Sequence, residues 1–220
     1  MNSTIAIFLK DIRSELRTRY ALNSLVMFVI TTISIVIFAI QAESPGSLIY
    51  AGILWIIIFF ASMSGLSRTF VSEEERGTTL LLQLSAKPST VLYGKMAFNI
   101  VLLLGLNLFT TILFFLFVPE FTLRRPDIFF LVIIFGTLAL AVTSTMLAAI
   151  VAKANTKGTL YPVLSFPVLL PMFITVIDAT KLAVEGAPFS ETLGNFQMLI
   201  SYLIATFIAS SLLFDVIWKD

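Results

Sequence analysis

Cysteine and histidine are both absent from this chain of 220 residues. The first absence removes disulfides and thiolate chemistry, the second removes the near-neutral proton switch, and together they remove the usual zinc ligands. Charge is also scarce. Only 12% of the residues are Asp, Glu, Lys or Arg, about half of the roughly 25% usual in soluble domains. No phosphate-binding G-x-x-x-x-G-K-[ST] loop, no H-E-x-x-H and no G-x-S-x-G occurs, so nucleotide hydrolysis, zinc-dependent hydrolysis and serine-nucleophile chemistry lack their usual carriers. The chain is not expected to be an enzyme, and any energy source would belong to another chain. A formal net charge of +1 argues against a nucleic-acid partner.

What is present is hydrocarbon: 58% of the residues are hydrophobic and 21 are Phe. Six stretches, residues 21–40, 48–66, 96–118, 128–151, 160–177 and 196–217, approach the ~20 apolar residues that a bilayer-spanning helix takes. They predict an all-α integral membrane protein with six transmembrane helices in a single domain over residues 1–220, leaving no room for a folded soluble domain. As drawn, the six contain no Asp, Glu, Lys or Arg other than Asp215 at the end of the last, whereas ion-driven transporters bury such groups at membrane depth. Asn99 and Asn107 in the third stretch read as interhelical glue or as part of a substrate site. The fifth carries Pro167 and Pro171, each removing a backbone donor. That helix is expected to be bent or broken, either as the lining of a path or gate or as a static kink.

Residues 1–20 lack the composition of a cleavable signal peptide. Ile5, Phe8, Leu9, Ile12 and Leu16 fall at helical spacing, with Lys10, Asp11, Arg13, Glu15 and Arg17 around them. This pattern predicts an amphipathic helix on the membrane interface or a tail that simply anchors the first span. Lys and Arg are distributed eleven to three between the two sides of such a bundle. The positive-inside rule then places both termini and residues 67–95 in the cytoplasm.

Residues 67–95 form the longest polar interruption. Glu73, Glu74, Glu75 and Arg76 make a charged, helix-favouring turn, Gly77 breaks it, and Thr78 can cap a short helix running through Leu84. Leu80, Leu81, Leu82 and Leu84 crowd that short helix without any charge, so something outside the chain must cover them, either lipid or protein. An interfacial helix would be expected to mix Lys or Arg with its leucines. The acidic turn before it would repel anionic headgroups but suit a basic groove on a protein. A cytoplasmic ATPase docking here is the economical reading.

At these residues the chain resembles the CcmB family, haem exporter protein B. The resemblance is carried by Ile49 to Phe60 (IYAGILWIIIFF), the turn into Arg68 and Phe70, the acidic stretch, Gly77, the leucine-rich helix, Pro88, Lys95, and the proline pair within LSFPVLLPMF. One departure is Leu80, where family members often have an acidic residue. The resemblance implies an ABC-2-type permease subunit in the bacterial inner membrane, working with a soluble ABC ATPase that holds the ATP, a haem-handling membrane subunit and a second copy of this chain. Its implied role is haem export in cytochrome c maturation, with release to a periplasmic haem chaperone. Haem is then a candidate transported substrate and no cofactor is bound by this chain alone, which offers no His or Cys as axial ligand. Phe70, Glu73, Glu74, Glu75, Gly77, Thr78, Leu80, Leu81 and Leu84 become the expected ATPase-coupling residues, and Pro167 and Pro171 the expected gate or path lining. An ABC-2 permease for a lipid, glycan or drug, or a structural membrane subunit without transport, are the alternatives.

Overall fold

The computed structural model describes residues 3–18, 20–40, 45–75, 77–152 and 160–219; Arg19, Glu43, Arg76, Lys153 and Lys157 lie outside them. The described residues form helices and no strand. They are α1 (Ser3–Thr18), α2 (Tyr20–Ile40), α3 (Ser47–Leu66), α4 (Val71–Glu75), α5 (Thr79–Ser85), α6 (Pro88–Phe117), α7 (Pro126–Ala152), α8 (Leu160–Glu185) and α9 (Phe189–Lys219). Six of these, α2, α3 and α6 to α9, are long and apolar enough to cross a membrane. The fold is the expected all-α membrane bundle.

The six long helices alternate in direction. At one end, Gln83 donates from Nε2 to the Trp218 carbonyl at 2.7 Å and Phe70 packs on Phe214 and Trp218. At the other, the Ser47 hydroxyl bonds Glu185 at 2.5 Å and the Arg125 N–H bonds the Ala183 carbonyl at 3.0 Å. The amino-terminal helix, the interruption and the end of α9 therefore share one end of the bundle.

Helix α7 is the centre, buried along most of its length. Its inward positions are small, with Gly136, Thr137, Ala139, Ala141, Thr143, Ser144, Thr145, Ala148 and Ala149 all buried, which lets neighbouring backbones approach closely where lipid gives no hydrophobic drive to pack. Asn107 donates to Thr137 at 2.9 Å and Asn99 to Thr145 at 2.8 Å, so both asparagines crosslink α6 to α7. Trp55 of α3 fills the groove opposite Gly136 and donates its indole N–H to Thr180 of α8 at 2.9 Å. By contrast α2 and α9 leave most of their apolar surface outward, as lipid-facing helices do.

Several boundaries differ from expectation. The third long helix begins at Pro88 rather than near residue 96, because proline at a first helical position costs no backbone bond. Lys95 therefore lies about two turns inside a helix. The fifth does not end at 177 but runs to Glu185, so Asp178, Lys181 and Glu185 are helical rather than in a connection. The long helices are thus not free of ionisable residues. Nor is α8 broken: it is continuous through Pro167 and Pro171, and the Ser165 and Thr175 hydroxyls bond the carbonyls of Tyr161 and Pro171 four residues back.

A Cβ added to Gly136 would sit 2.4 Å from the Trp55 ring. Gly136→Ala is expected to lower the apparent Tm in detergent, at a cost of about 1–3 kcal/mol. Gly105→Ala, with nothing within 4 Å, should leave thermal unfolding unchanged.

Candidate functional site

The chain leaves α3 at Leu66, forms α4, and reverses at Gly77. There φ is +65°, a left-handed conformation that glycine adopts without steric cost. The Gly77 N–H bonds the Glu74 carbonyl at 3.1 Å and the Thr78 N–H bonds the Glu73 carbonyl at 3.0 Å, the paired bonds that close a helix end in a Schellman motif. Helix α5 starts immediately afterwards. Thr78 stands at its N-cap but makes no side-chain cap bond; its hydroxyl instead donates to a Glu73 carboxylate oxygen at 2.5 Å.

The candidate coupling residues divide into two sets. Phe70 is buried among Phe214 and Trp218 with the Lys95 ammonium 5.3 Å from its ring centre. Glu73 also points inward, ion-paired with Lys10 of α1 and, at 3.3 Å, with Lys95 of α6. Glu74 and Glu75 are exposed, Glu74 accepting from the Thr79 hydroxyl at 3.0 Å. Leu80, Leu81 and Leu84 stand outward at 70%, 69% and 88% exposure, whereas Leu82 packs against the core. Pro167 and Pro171 lie on the exposed surface of α8.

The charges behind α4 form a closed group. Lys95 is almost wholly buried and is bonded to Asp11 at 3.3 Å, to Glu73 at 3.3 Å and to the Thr69 carbonyl at 2.8 Å. Lys10 pairs with the same two carboxylates, with Asp11 at 3.3 Å. Burial acts to lower the Lys10 pKa, but the Glu73 hydrogen bond and the two neighbouring carboxylates outweigh it and hold the value above its usual range. Two ammonium groups thus face two carboxylates contributed by α1, α4 and α6. A buried charge is tolerated only when matched and hydrogen-bonded in this way. One polar chain extends from it toward the centre, from Thr69 through Asn99 to Thr145.

Lys10, Asp11 and Lys95 were not singled out by sequence as partners of Glu73. The available signal was Pro88, which as a helix start puts Lys95 inside α6. The apolar spacing in α1 pointed away from the pairing, because the residue that seats this helix is Ile7, buried where Gly94 leaves no side chain. Ile5 and Leu16 remain exposed.

A match to the model of the CcmB protein family covers residues 2–215. The chain belongs to the CcmB family. One curated relative is the heme exporter protein B of Bradyrhizobium diazoefficiens, 26% identical over 217 residues, which cover 96% of this chain and 97% of that protein. The CcmB match covers α1, the α4–α5 segment and the long helices up to residue 215 of α9, so the ion-paired end belongs to the family region and is no appendage to it.

Removing one member of the charge group should be worse than removing a matched pair. Lys95→Met leaves an uncompensated carboxylate and is expected to destabilise by roughly 3–5 kcal/mol. Lys95→Met with Glu73→Gln leaves Lys10 facing Asp11 and should recover part of the loss, read as apparent Tm in the same detergent.

Proposed function

We propose that this chain is the membrane permease subunit of an ABC-type haem exporter acting in cytochrome c maturation. It couples a separate cytoplasmic ATPase to export of haem, or to its release to a periplasmic haem chaperone. In this reading the end of the bundle carrying α1, α4 and α5 faces the cytoplasm, which the Lys and Arg distribution supports, and the protein resides in the bacterial inner membrane. Two copies work together beside a haem-handling membrane subunit.

The observation that supports coupling best is the construction of the α4–α5 segment. Its outer surface is three exposed leucines without charge, suited to a partner's apolar groove. Its inner surface is gripped through Glu73 by Lys95 of α6 and through Phe70 by α9. Movement of α5 by a docked ATPase would therefore reach two long helices directly. Thr78 links the two halves, since its hydroxyl bonds Glu73 while its backbone begins α5. Pro167 and Pro171 supply the responding element in α8. The relative's name, heme exporter protein B, supports haem as the substrate.

Affinity purification in mild detergent tests the reading. A Walker-motif ATPase and a haem-carrying membrane protein are expected to accompany the chain. Leu81→Glu, at an exposed position, should abolish ATPase copurification without changing thermal unfolding, while Arg124→Gln at the opposite end should retain it. Undiminished copurification with Leu81→Glu would remove the leucine face from the coupling surface.

A further inference from the structure

An open cleft of about 600 Å3 lies between α1, α5 and the amino-terminal half of α6, and its walls differ in chemistry. Arg68, Ser72 and Ser85 are among its polar residues, and Leu25, Phe98 and Leu102 are its larger apolar ones on α2 and α6. Arg68 follows the last residue of α3 by two positions, and its neighbour Thr69 bonds Asn99 of α6 at 3.2 Å, so Arg68 stands near the level of Phe98. Gly65, three residues before Arg68, lies against Leu25 and Leu102, about one helical turn further into the bundle at 1.5 Å per residue. The cleft thus reaches from the Arg68 level about one turn into the bundle, where Leu25 and Leu102 make its wall apolar.

Most charges around it are already engaged. Lys10 and Lys95 are matched by Asp11 and Glu73, and Glu15 accepts from the Leu22 N–H at 3.2 Å. The Arg68 carbonyl accepts from the Ser72 N–H at 3.1 Å, but its exposed side chain makes no hydrogen bond or ion pair among the described residues. Its guanidinium offers five donors in a planar fork suited to phosphate, with the Ser72 hydroxyl on the same cleft, while the Ser85 hydroxyl already donates to the Leu82 carbonyl at 3.3 Å. A guanidinium unpaired among the described residues, a hydroxyl beside it and apolar side chains about one turn deeper match an amphiphile with an anionic head and a hydrocarbon tail.

We propose that this cleft binds an anionic phospholipid, its phosphate on Arg68 and an acyl chain along Leu25, Phe98 and Leu102. Basic pockets between long helices at a membrane surface take such headgroups, and a headgroup without its own ammonium leaves the Arg68 charge unopposed. Haem fits this cleft less well, since no Met, Tyr, His or Cys lines it to ligate iron. The inference concerns this chain alone and does not rest on the export reading.

Native mass spectrometry of the detergent-purified chain, titrated with phosphatidylglycerol or phosphatidylcholine, tests it. Phosphatidylglycerol should be retained in preference to phosphatidylcholine. Arg68→Gln is expected to lower that retention about tenfold, the loss of one charge-assisted contact, and Ser72→Glu should lower it further by repulsion. Lys87→Gln, an exposed cation outside the cleft at the same end, should bind as the unmodified chain does. Equal retention of the two lipids, unchanged retention in Arg68→Gln, or an equal loss in Lys87→Gln would overturn the proposal. So would displacement of the lipid by an equal concentration of inorganic phosphate, since the tail would then contribute nothing, or by haem.

Discussion

An ammonium group held out of water must be neutralised where it stands, and Lys95 imposes that condition on one end of this bundle. Its side chain is almost completely enclosed, and three ligands from three parts of the chain meet it: Asp11 of α1, Glu73 of α4 and the Thr69 carbonyl. No two of these elements can separate without stranding a charge. Desolvation makes such a group costly to build and more costly to disrupt, so its value lies less in net stability than in fixing one arrangement. The Lys10 pairing makes the group electrically closed, which allows a surface helix to be held without a wide apolar interface.

The middle of the bundle is held by a different device. Helix α7 presents glycine, alanine, serine and threonine inward, and the gain is close backbone approach, supplemented by asparagine and tryptophan donors reaching threonine hydroxyls from α6 and α3 to α7 and α8. Thr69 accordingly touches both systems, its carbonyl receiving Lys95 and its hydroxyl donating to Asn99 at 3.2 Å. The charged end and the polar centre are therefore continuous through one residue. Displacement of the α4 segment cannot be confined to the surface without breaking one of these bonds.

The six long helices were legible because hydropathy and length are composition properties, and α2 and α3 begin and end within a residue of where the apolar runs do. Gly77 was legible for a local reason, since a helix that reverses within two residues needs a left-handed position. Pairing across long sequence separations was not. Glu73 and Glu74 are adjacent acids, and nothing in the text of the chain says that the first turns inward to Lys10 and Lys95 while the second stays out. The same holds for Phe70, one aromatic among many, which is placed by Phe214 and Trp218 far along the chain. The carboxyl-terminal extension of α8 was missed because Asp178, Lys181 and Glu185 look like a solvated loop, yet they are satisfied as helix residues. Asp178 accepts from Asn195 at 2.9 Å and Glu185 from Ser47 at 2.5 Å.

The proline pair in α8 shows how local sequence and packing divide the outcome. A proline leaves a carbonyl one turn earlier without its backbone donor, and in hydrocarbon that carbonyl has no water to turn to. Two such gaps four residues apart would favour a break in an isolated helix. In the bundle, Tyr161 bonds Ser144 and Tyr202 reaches from α9 to the Val168 carbonyl at 3.0 Å, while Phe173 stacks edge-on against Phe59 and Trp55. These contacts hold α8 from its buried face across the whole proline segment, leaving Pro167 and Pro171 outward. A path bordered by those prolines would then have to be closed by a surface other than this chain's own helices. The same packing that keeps α8 continuous thus also determines where any partner or second copy would have to lie to share a passage with it.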